Sequence, residues 1–465
     1  MAKEAMKSVD MVSINHEILA SELVDSYKGD KSPLFIWGMP GIGKSQVIAD
    51  TFEKHAHDMG MLYVDWNRVS RPFKHALAAD RSSTAYAKDP GWLKRLAEEE
   101  IEVTDDEGAK VTRSRTLREL TDIVEGLAES GTIHGAELRK ACFMFMDVRL
   151  SQRDPSDING LPRLDTKDCV EWLPVLMFKA LSQKNTQAVL LFDELPQAIP
   201  VVQNAAYQLI HDRCCGELSF SDGVFVIAAG NRITDGGSSF TLAPALANRF
   251  AHYELRPPTV EEWVRWGIVK QVDSRVVCFL QWKGGEALTA NMENVRRNRQ
   301  MAWASPRAWK KVSSKIAGVF TRPDMNDADA LKTVERRTAS CVGSALAVEF
   351  NAFLKNIQTL DLEKIMENPE MVKKFQIDQT WALISALTEY YKTGGSLKGE
   401  KGRKKPAKDR LDDVLTVLRH VTPDLCVVCM RYIKMADKVN FAATLSKCQN
   451  RHVGTDLLKY MVGND

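Results

Sequence analysis

The sequence predicts an α/β fold: a P-loop parallel sheet with flanking helices, followed by an α-helical remainder. Three observations predict it. Short apolar runs alternate with helical spacing through the first half of the chain, as βα units require. A glycine-rich loop, Gly38 to Ser45, falls between an apolar strand and a helix. After about Glu261 the strand signals fade into helical spacing rich in Trp, Leu and Ala.

Each element follows from its residues. Asn15 to Tyr27 puts Ile18, Leu19, Leu23 and Val24 on one side of a helix. Gly29-Asp30-Lys31-Ser32-Pro33 is a turn, and Leu34-Phe35-Ile36-Trp37 is a short apolar strand. The glycine-rich loop then leads into a helix from Lys44 to about His57. Phe143 to Leu150 is the second strand candidate. Ala188 to Phe192 is the third, continuous and apolar as a buried parallel strand should be. Pro200 to Arg213 is helical, and Val224 to Ala229 is a fourth strand.

Two stretches depart from this alternation. Residues 71–140 fit the core poorly and are read as a mainly helical insertion with a mobile acidic loop. Its run of Glu98, Glu99, Glu100, Glu102, Asp105, Asp106 and Glu107 is the composition of a solvated face. Residues 392–410 count eight basic and two acidic side chains among glycines. Low hydrophobicity and clustered charge predict a disordered basic loop there, read as a solvated linker rather than a nucleic-acid contact.

Bulk properties set the class. A chain of 465 residues exceeds one ordinary compact domain, so two or three cores are expected. Hydrophobic residues at 44% and charged residues at 27% match a soluble globular protein. A net charge of +2 gives no global reason to expect a nucleic-acid coat or an acidic-lipid binder. No apolar run approaches a membrane span, and Met1 to Asp10 lacks the apolar core of a signal peptide, so a cytoplasmic location and no membrane partner are expected. The nine cysteines are scattered and odd in number, which suggests reduced thiols. Cys426 and Cys429 form a lone C-x-x-C in an apolar helix face, with no second pair at zinc spacing, and are read as core.

The chemistry concentrates in a few places. Gly38-Met39-Pro40-Gly41-Ile42-Gly43-Lys44-Ser45 fits G-x-x-x-x-G-K-[ST] at every fixed position. The glycines let backbone N–H groups wrap phosphate, Lys44 neutralises the β- and γ-phosphates, and the Ser45 hydroxyl serves Mg²⁺. With Gln46 included, these nine positions are the expected ATP-binding set. Val189-Leu190-Leu191-Phe192-Asp193-Glu194 is an apolar strand ending in two carboxylates. Such a pair has little structural reason to end a buried strand. Asp193 is expected to hold Mg²⁺ and Glu194 to act as general base on the attacking water. Asn231, just beyond the strand ending Ala228-Ala229-Gly230, faces the crevice where ligands sit and can position that water; turn chemistry is its alternative. Arg249 follows a helical Ala/Leu run and is a candidate arginine finger. Arg307, after Ser305-Pro306, sits in the first turn of an expected helix, where a solvated side chain is the simpler reading for the motif alone.

Taken together, these motifs resemble the AAA+ ATPases: Walker A (Gly38 to Ser45), Walker B (Leu190 to Glu194), sensor 1 (Asn231), Asn248-Arg249-Phe250 and Ser305-Pro306-Arg307-Ala308. The wording is similar to the MoxR-like group in Asp147 to Asp157, Gly160-Leu161-Pro162, Asp193 to Ala198, Val202 to Leu209 and Ala228 to Phe250. The match covers residues 10–70 and 142–320, and more loosely 342–387. The resemblance implies three parts: a large α/β ATPase subdomain over 1–260, a small helical lid over 261–325 and an α-helical C-terminal extension over 326–465. It implies a ring, usually a hexamer, with ATP at subunit interfaces. Arg249 would then act on the neighbouring subunit, and Arg307 would be the cis sensor 2 arginine. It also implies hairpin inserts, for which Leu161 to Trp172 and Arg213 to Gly223 are in the right places. The long interval between Lys44 and Asp193 departs from the family, and the excess is the 71–140 segment.

The expected function is therefore an Mg²⁺-dependent ATPase that remodels a protein client, with a von Willebrand A-domain protein as the expected partner. The alternative is a nucleic-acid-associated motor or restriction/defence subunit. That reading needs basic pore loops, whereas the hairpin stretches carry mixed charge: Arg163, Asp165, Lys167, Asp168 and Glu171, then Arg213, Glu217 and Asp222. A scaffold that binds ATP without hydrolysing it is disfavoured by the presence of Glu194, Asn231 and Arg249.

Overall fold

The computed structural model describes residues 11–79, 92–104, 110–115, 117–130, 135–163, 170–232, 240–322, 324–394, 405–436 and 440–463. They divide into two compact units, 1–257 and 258–465.

The first unit is built on seven parallel strands. In chain order these are β1 (Val12–Ile14), β2 (Leu34–Trp37), β3 (Leu62–Asp65), β4 (Cys142–Arg149), β5 (Gln187–Asp193), β6 (Val224–Gly230) and β7 (Ala251–Leu255). Across the sheet they run β1-β7-β2-β6-β5-β4-β3. Helix α1 (His16–Lys28) leads into β2, and α2 (Lys44–Asp58) leaves it.

The central strands are apolar on both sides because helices cover both faces. Side chains alternate between two cores. Phe35, Leu190, Phe192, Val226 and Ala228 enter one. Leu34, Ile36, Val189, Leu191, Phe225 and Ile227 enter the other, against Leu19, Leu23 and Tyr27 of α1 and Ile48 and Phe52 of α2. Each buried Leu, Ile, Val or Phe contributes about 1.5–3 kcal/mol of burial free energy, so the middle of the sheet is a rigid floor. In a parallel sheet all carboxyl ends lie on one edge. Here that edge gathers the ends of β2, β4, β5 and β6, with β6 inserted between β2 and β5.

The four strands expected from sequence are present, and β1, β3 and β7 join them. The 71–140 segment corrects one expectation. It holds helices Arg71–Leu77, Trp92–Glu98, Leu117–Glu129 and Gly135–Ala141, but part of its acidic run is a β-hairpin, Glu100–Thr104 against Lys110–Ser114. Glu100-Ile101-Glu102-Val103 alternates charge and apolar residues at the strand period, so the charge marks one face of a strand. Asp105, Asp106 and Glu107 lie outside the described residues. The two other hairpins expected from the resemblance are formed: Leu161–Arg163 with Glu171–Leu173, and Cys214–Cys215 with Leu218–Ser219. Asp165, Lys167 and Asp168 lie outside the described residues.

The second unit is helical, and its apolar core runs without a break from Val260 to Met461. Trp309 is fully buried and donates its indole N–H to the Ala287 carbonyl at 2.7 Å. Asp273 and Arg275 form an ion pair at 2.6 Å, and Ser274 donates to Glu389 at 2.7 Å beside it. Cys426 and Cys429 are buried in helix Pro423–Ala436 as core residues, and burial pushes both thiols well up. The basic stretch 392–410 is shorter as a loop than expected. Lys392 and Thr393 end helix Ile377–Thr393, and residues 407–410 begin helix Ala407–Leu418. Lys405 is held by Asp413 and by the Tyr390 hydroxyl, each at 3.0 Å. Residues 395–404 lie outside the described residues. Among the described residues no helix is long and apolar enough to cross a membrane.

Candidate functional site

The site is built on the carboxyl edge of the sheet. The loop after β2 bends sharply: Gly41 and Gly43 have φ of 84° and 100°, a region side chains rarely adopt. Gly43 is the N-cap of α2 and has no side chain to cap it. The N–H groups of that helix end, with the helix dipole behind them, form an anion site.

Lys44 opens α2 and is buried, with only 8% of its surface exposed. Its ammonium donates to the carbonyls of Gly38 at 2.7 Å and Met39 at 3.1 Å, and to Asn231 Oδ1 at 2.7 Å. Asn231 follows β6, so this contact spans the two central strands. The Ser45 hydroxyl donates to Asp193 Oδ2 at 2.6 Å. Asp193 ends β5, and its other oxygen accepts the Glu194 backbone N–H at 3.0 Å. Glu194 itself adopts φ 58°, ψ 30°. A non-glycine residue in the left-handed region costs about 1–2 kcal/mol, and it turns the Glu194 side chain off the strand axis. Gly230 allows the turn after β5 to close in, because a Cβ there would lie 2.4 Å from Pro196 Cδ.

A divalent cation fits the corner made by Ser45 and Asp193. A hydroxyl and a carboxylate are hard oxygen donors already in contact, and Mg²⁺ takes one or two protein ligands, leaving the rest to phosphate and water. Among the described residues no group of three or more His, Cys, Asp and Glu is arranged to hold a metal alone.

The structure thus brings Lys44, Ser45, Asp193, Glu194 and Asn231 together. Gln46 is exposed and donates to Asp50 at 2.9 Å, along α2 rather than into the loop. Arg249 follows the short helix Pro244–Ala247 and is exposed. Arg307 belongs to the second unit, exposed in the first turn of helix Pro306–Ile316, whose N-cap Ser305 accepts the Ala308 N–H at 3.2 Å.

Two further residues belong to this edge. Ser151, just past β4, donates its hydroxyl to Glu194 Oε2 at 2.5 Å, so one oxygen of the expected base is occupied. Asp147, on β4, is half-buried, and its Oδ1 has no hydrogen-bond partner among the described residues. Burial, reinforced by the nearby Asp193 charge, pushes its carboxyl up to about 6. The sequence signals for both residues were their position at the end of a buried strand beside β5 and their place in the Asp147 to Asp157 stretch of the resemblance, neither of which assigns them a role.

The raised Asp147 value fixes a sign. Between about pH 4 and 6 the folded state holds a proton that the unfolded state has lost, so stability falls as pH rises through that window. Asp147→Asn is expected to raise the thermal midpoint of the metal-free protein at pH 7. The gain is about 1–2 kcal/mol after allowing for solvent screening of a half-buried group. The difference should shrink toward pH 4; a difference that grows on acidification contradicts the assignment.

No protein-family model matches the chain. No curated protein matches it either. Among solved structures, the Walker-type ATPase PABY2304 of Pyrococcus abyssi is 11% identical, with 87% of this chain and 89% of that one covered and a TM-score of 0.27. The ORC2 protein of Aeropyrum pernix, solved as ADPNP–ADP complexes, is 11% identical, with 94% and 97% covered and a TM-score of 0.30. Superposition scores this low establish no whole-chain equivalence.

Proposed function

We propose that this chain is an Mg²⁺-dependent ATPase of the AAA+ type that works as a ring, usually a hexamer, and remodels a protein client as MoxR-like proteins do. The observation that carries the ATPase reading is the contact set Lys44–Asn231 and Ser45–Asp193, with Glu194 next to it. A cation, a hydroxyl, a carboxylate and a candidate base converge beside a helix N-terminus shaped for phosphate. Mg²⁺, when bound, would neutralise phosphate charge as a Lewis acid, with Ser45 and Asp193 as its protein ligands. Lys44 binds the phosphate chain. Asn231 orients water, and Glu194 accepts its proton once the Ser151 hydroxyl releases the carboxylate.

The ring reading is supported by Arg249, a long cation exposed just past the helix Pro244–Ala247. The protein-client reading is supported by the hairpin Leu161–Arg163/Glu171–Leu173. It exposes Leu161, Val170, Trp172 and Leu173, while its Arg163 pairs with Glu171 at 3.7 Å. Exposed apolar side chains beside a balanced ion pair suit a polypeptide better than a phosphate backbone. A von Willebrand A-domain partner is part of the same proposal and rests on the resemblance alone.

Subunit mixing tests it. Arg249→Ala is expected to lower turnover by about 10³-fold or more, the usual worth of an arginine finger. Adding Glu194→Gln protein should restore part of that activity. In mixed rings the intact Glu194 of one chain faces the intact Arg249 of another. Turnover per chain in the wild type should also rise with protein concentration. If turnover is independent of concentration and mixing restores nothing, the site is complete within one chain and the ring proposal fails.

A further inference from the structure

We infer that His16 is a positioning residue for the phosphate loop: from the first turn of α1 it clamps the Ile42 carbonyl and so aims the Gly43 N–H at the phosphate chain. The inference rests on the nucleotide-site reading above and adds a residue that lies outside the motif.

The His16 Nε2 lies 2.9 Å from the Ile42 carbonyl oxygen. A carbonyl only accepts, so Nε2 carries the hydrogen and the tautomer is set by the partner. That hydrogen stays in place whether the ring is neutral or protonated. The Ile42–Gly43 peptide is trans, as are all the described peptide bonds. In a trans peptide the C=O and the following N–H point in opposite directions across one plane. Holding the Ile42 oxygen toward α1 therefore turns the Gly43 N–H the other way, toward the concave side of the loop.

The clamp matters because the peptide it holds runs into a glycine. Gly43 sits at φ 100°, ψ 22°, and a glycine peptide can swing at low cost. The imidazole flanks the loop closely, with Nε2 3.7 Å from where a Cβ on Gly43 would be. His16 is itself well anchored. Asn15 caps α1 by accepting the Ile18 N–H at 2.8 Å, and Leu19, Leu23 and Tyr27 pin the helix into the core under β2. A packed helix thus holds the glycine loop through Ile42, so the donor is aimed before ligand arrives.

The test measures binding of Mg-ADP and Mg-pyrophosphate by titration calorimetry with the full chain as wild type, His16→Ala and His16→Gln. Glutamine places an amide N–H near the position of Nε2. The expected result is about 3- to 10-fold weaker binding of both probes by His16→Ala, the scale of one lost hydrogen bond, and near wild-type binding by His16→Gln. Equal affinity in wild type and His16→Ala overturns the inference. So does a loss for Mg-ADP alone, which would mean that His16 touches the nucleoside. An equal loss in the alanine and glutamine variants, with a lowered thermal midpoint, would mean packing and also overturns it. If the wild type binds neither probe, the nucleotide-site reading itself falls.

Discussion

Replacing Glu194 by Gln leaves ATP bound and removes turnover, by about 10²- to 10⁴-fold if the side chain is the general base. The contacts around it say why the two effects separate. Binding depends on Lys44, Ser45, Asp193 and the N–H groups at the start of α2, none of which is changed. The link between Glu194 and Asp193 is a backbone N–H at 3.0 Å, which any residue at 194 supplies. A glutamine amide oxygen can still accept the Ser151 hydroxyl, so the resting hydrogen bond survives. What disappears is the capacity to take a proton from water. Phosphate release under steady state and in a single turnover, alongside nucleotide retained through gel filtration, reads both properties. Hydrolysis at the wild-type rate would remove Glu194 from the role of base. Loss of binding would mean that its backbone geometry, at φ 58°, is what the substitution disturbs.

Much of this site could be read from residues in order, because its parts are local. The β2–loop–α2 run carries strand, glycines and Lys44 within one short span. β5 announces itself as a continuous apolar run closed by two carboxylates. β6, fully buried from Val224 to Gly230, is equally plain. The strands that escaped notice are short or at sheet edges, and their patterns are mixed. β1 has Val12 and Ser13 exposed and only Ile14 buried. β7 begins on an exposed Ala251 and buries only Leu255. Their strand state comes from pairing at long range, Val12 opposite Tyr253 and Ala251 opposite Leu34, across most of the first unit. No local window contains that information.

The same distinction separates the site residues that were found from those that were not. Lys44 and Asp193 are recognisable because their neighbours in sequence are also their neighbours in chemistry. Ser151 meets Glu194 from 43 residues away, and His16 meets Ile42 from 26. Each is an ordinary polar residue in its own segment. The hairpin at Glu100–Thr104 differs: its charge predicts a loop, but acidic residues at alternate positions of a strand give the same composition. Lys392 and Lys405 repeat the pattern. Charge suggested solvent, but Lys392 closes a helix and Lys405 is tied to Asp413 and Tyr390.

Lys44→Ala is expected to abolish nucleotide binding, and the size of the effect follows from what the ammonium touches. It is buried, with three oxygens in donor range: Gly38 O, Met39 O and Asn231 Oδ1. A phosphate oxygen replacing one of these neutral acceptors gains a charge-assisted bond at low dielectric, about 1.5–3 kcal/mol. Removing the cation also leaves the anion facing only N–H dipoles. Together these amount to at least about 10²-fold in affinity. For the wild type, nucleotide at 100 times its dissociation constant stabilises the first unit by about 2.7 kcal/mol, or several degrees in thermal midpoint. That shift should vanish in Lys44→Ala. The unliganded variant tests a second point. Alanine removes a buried charge along with its bonds, so the empty loop loses the link between β2 and β6 but also the cost of burying an ammonium. Its unliganded midpoint should therefore stay near that of the wild type while the nucleotide response is lost. A variant that still shifts on adding Mg-ATP would show that Lys44 holds the loop rather than the phosphate.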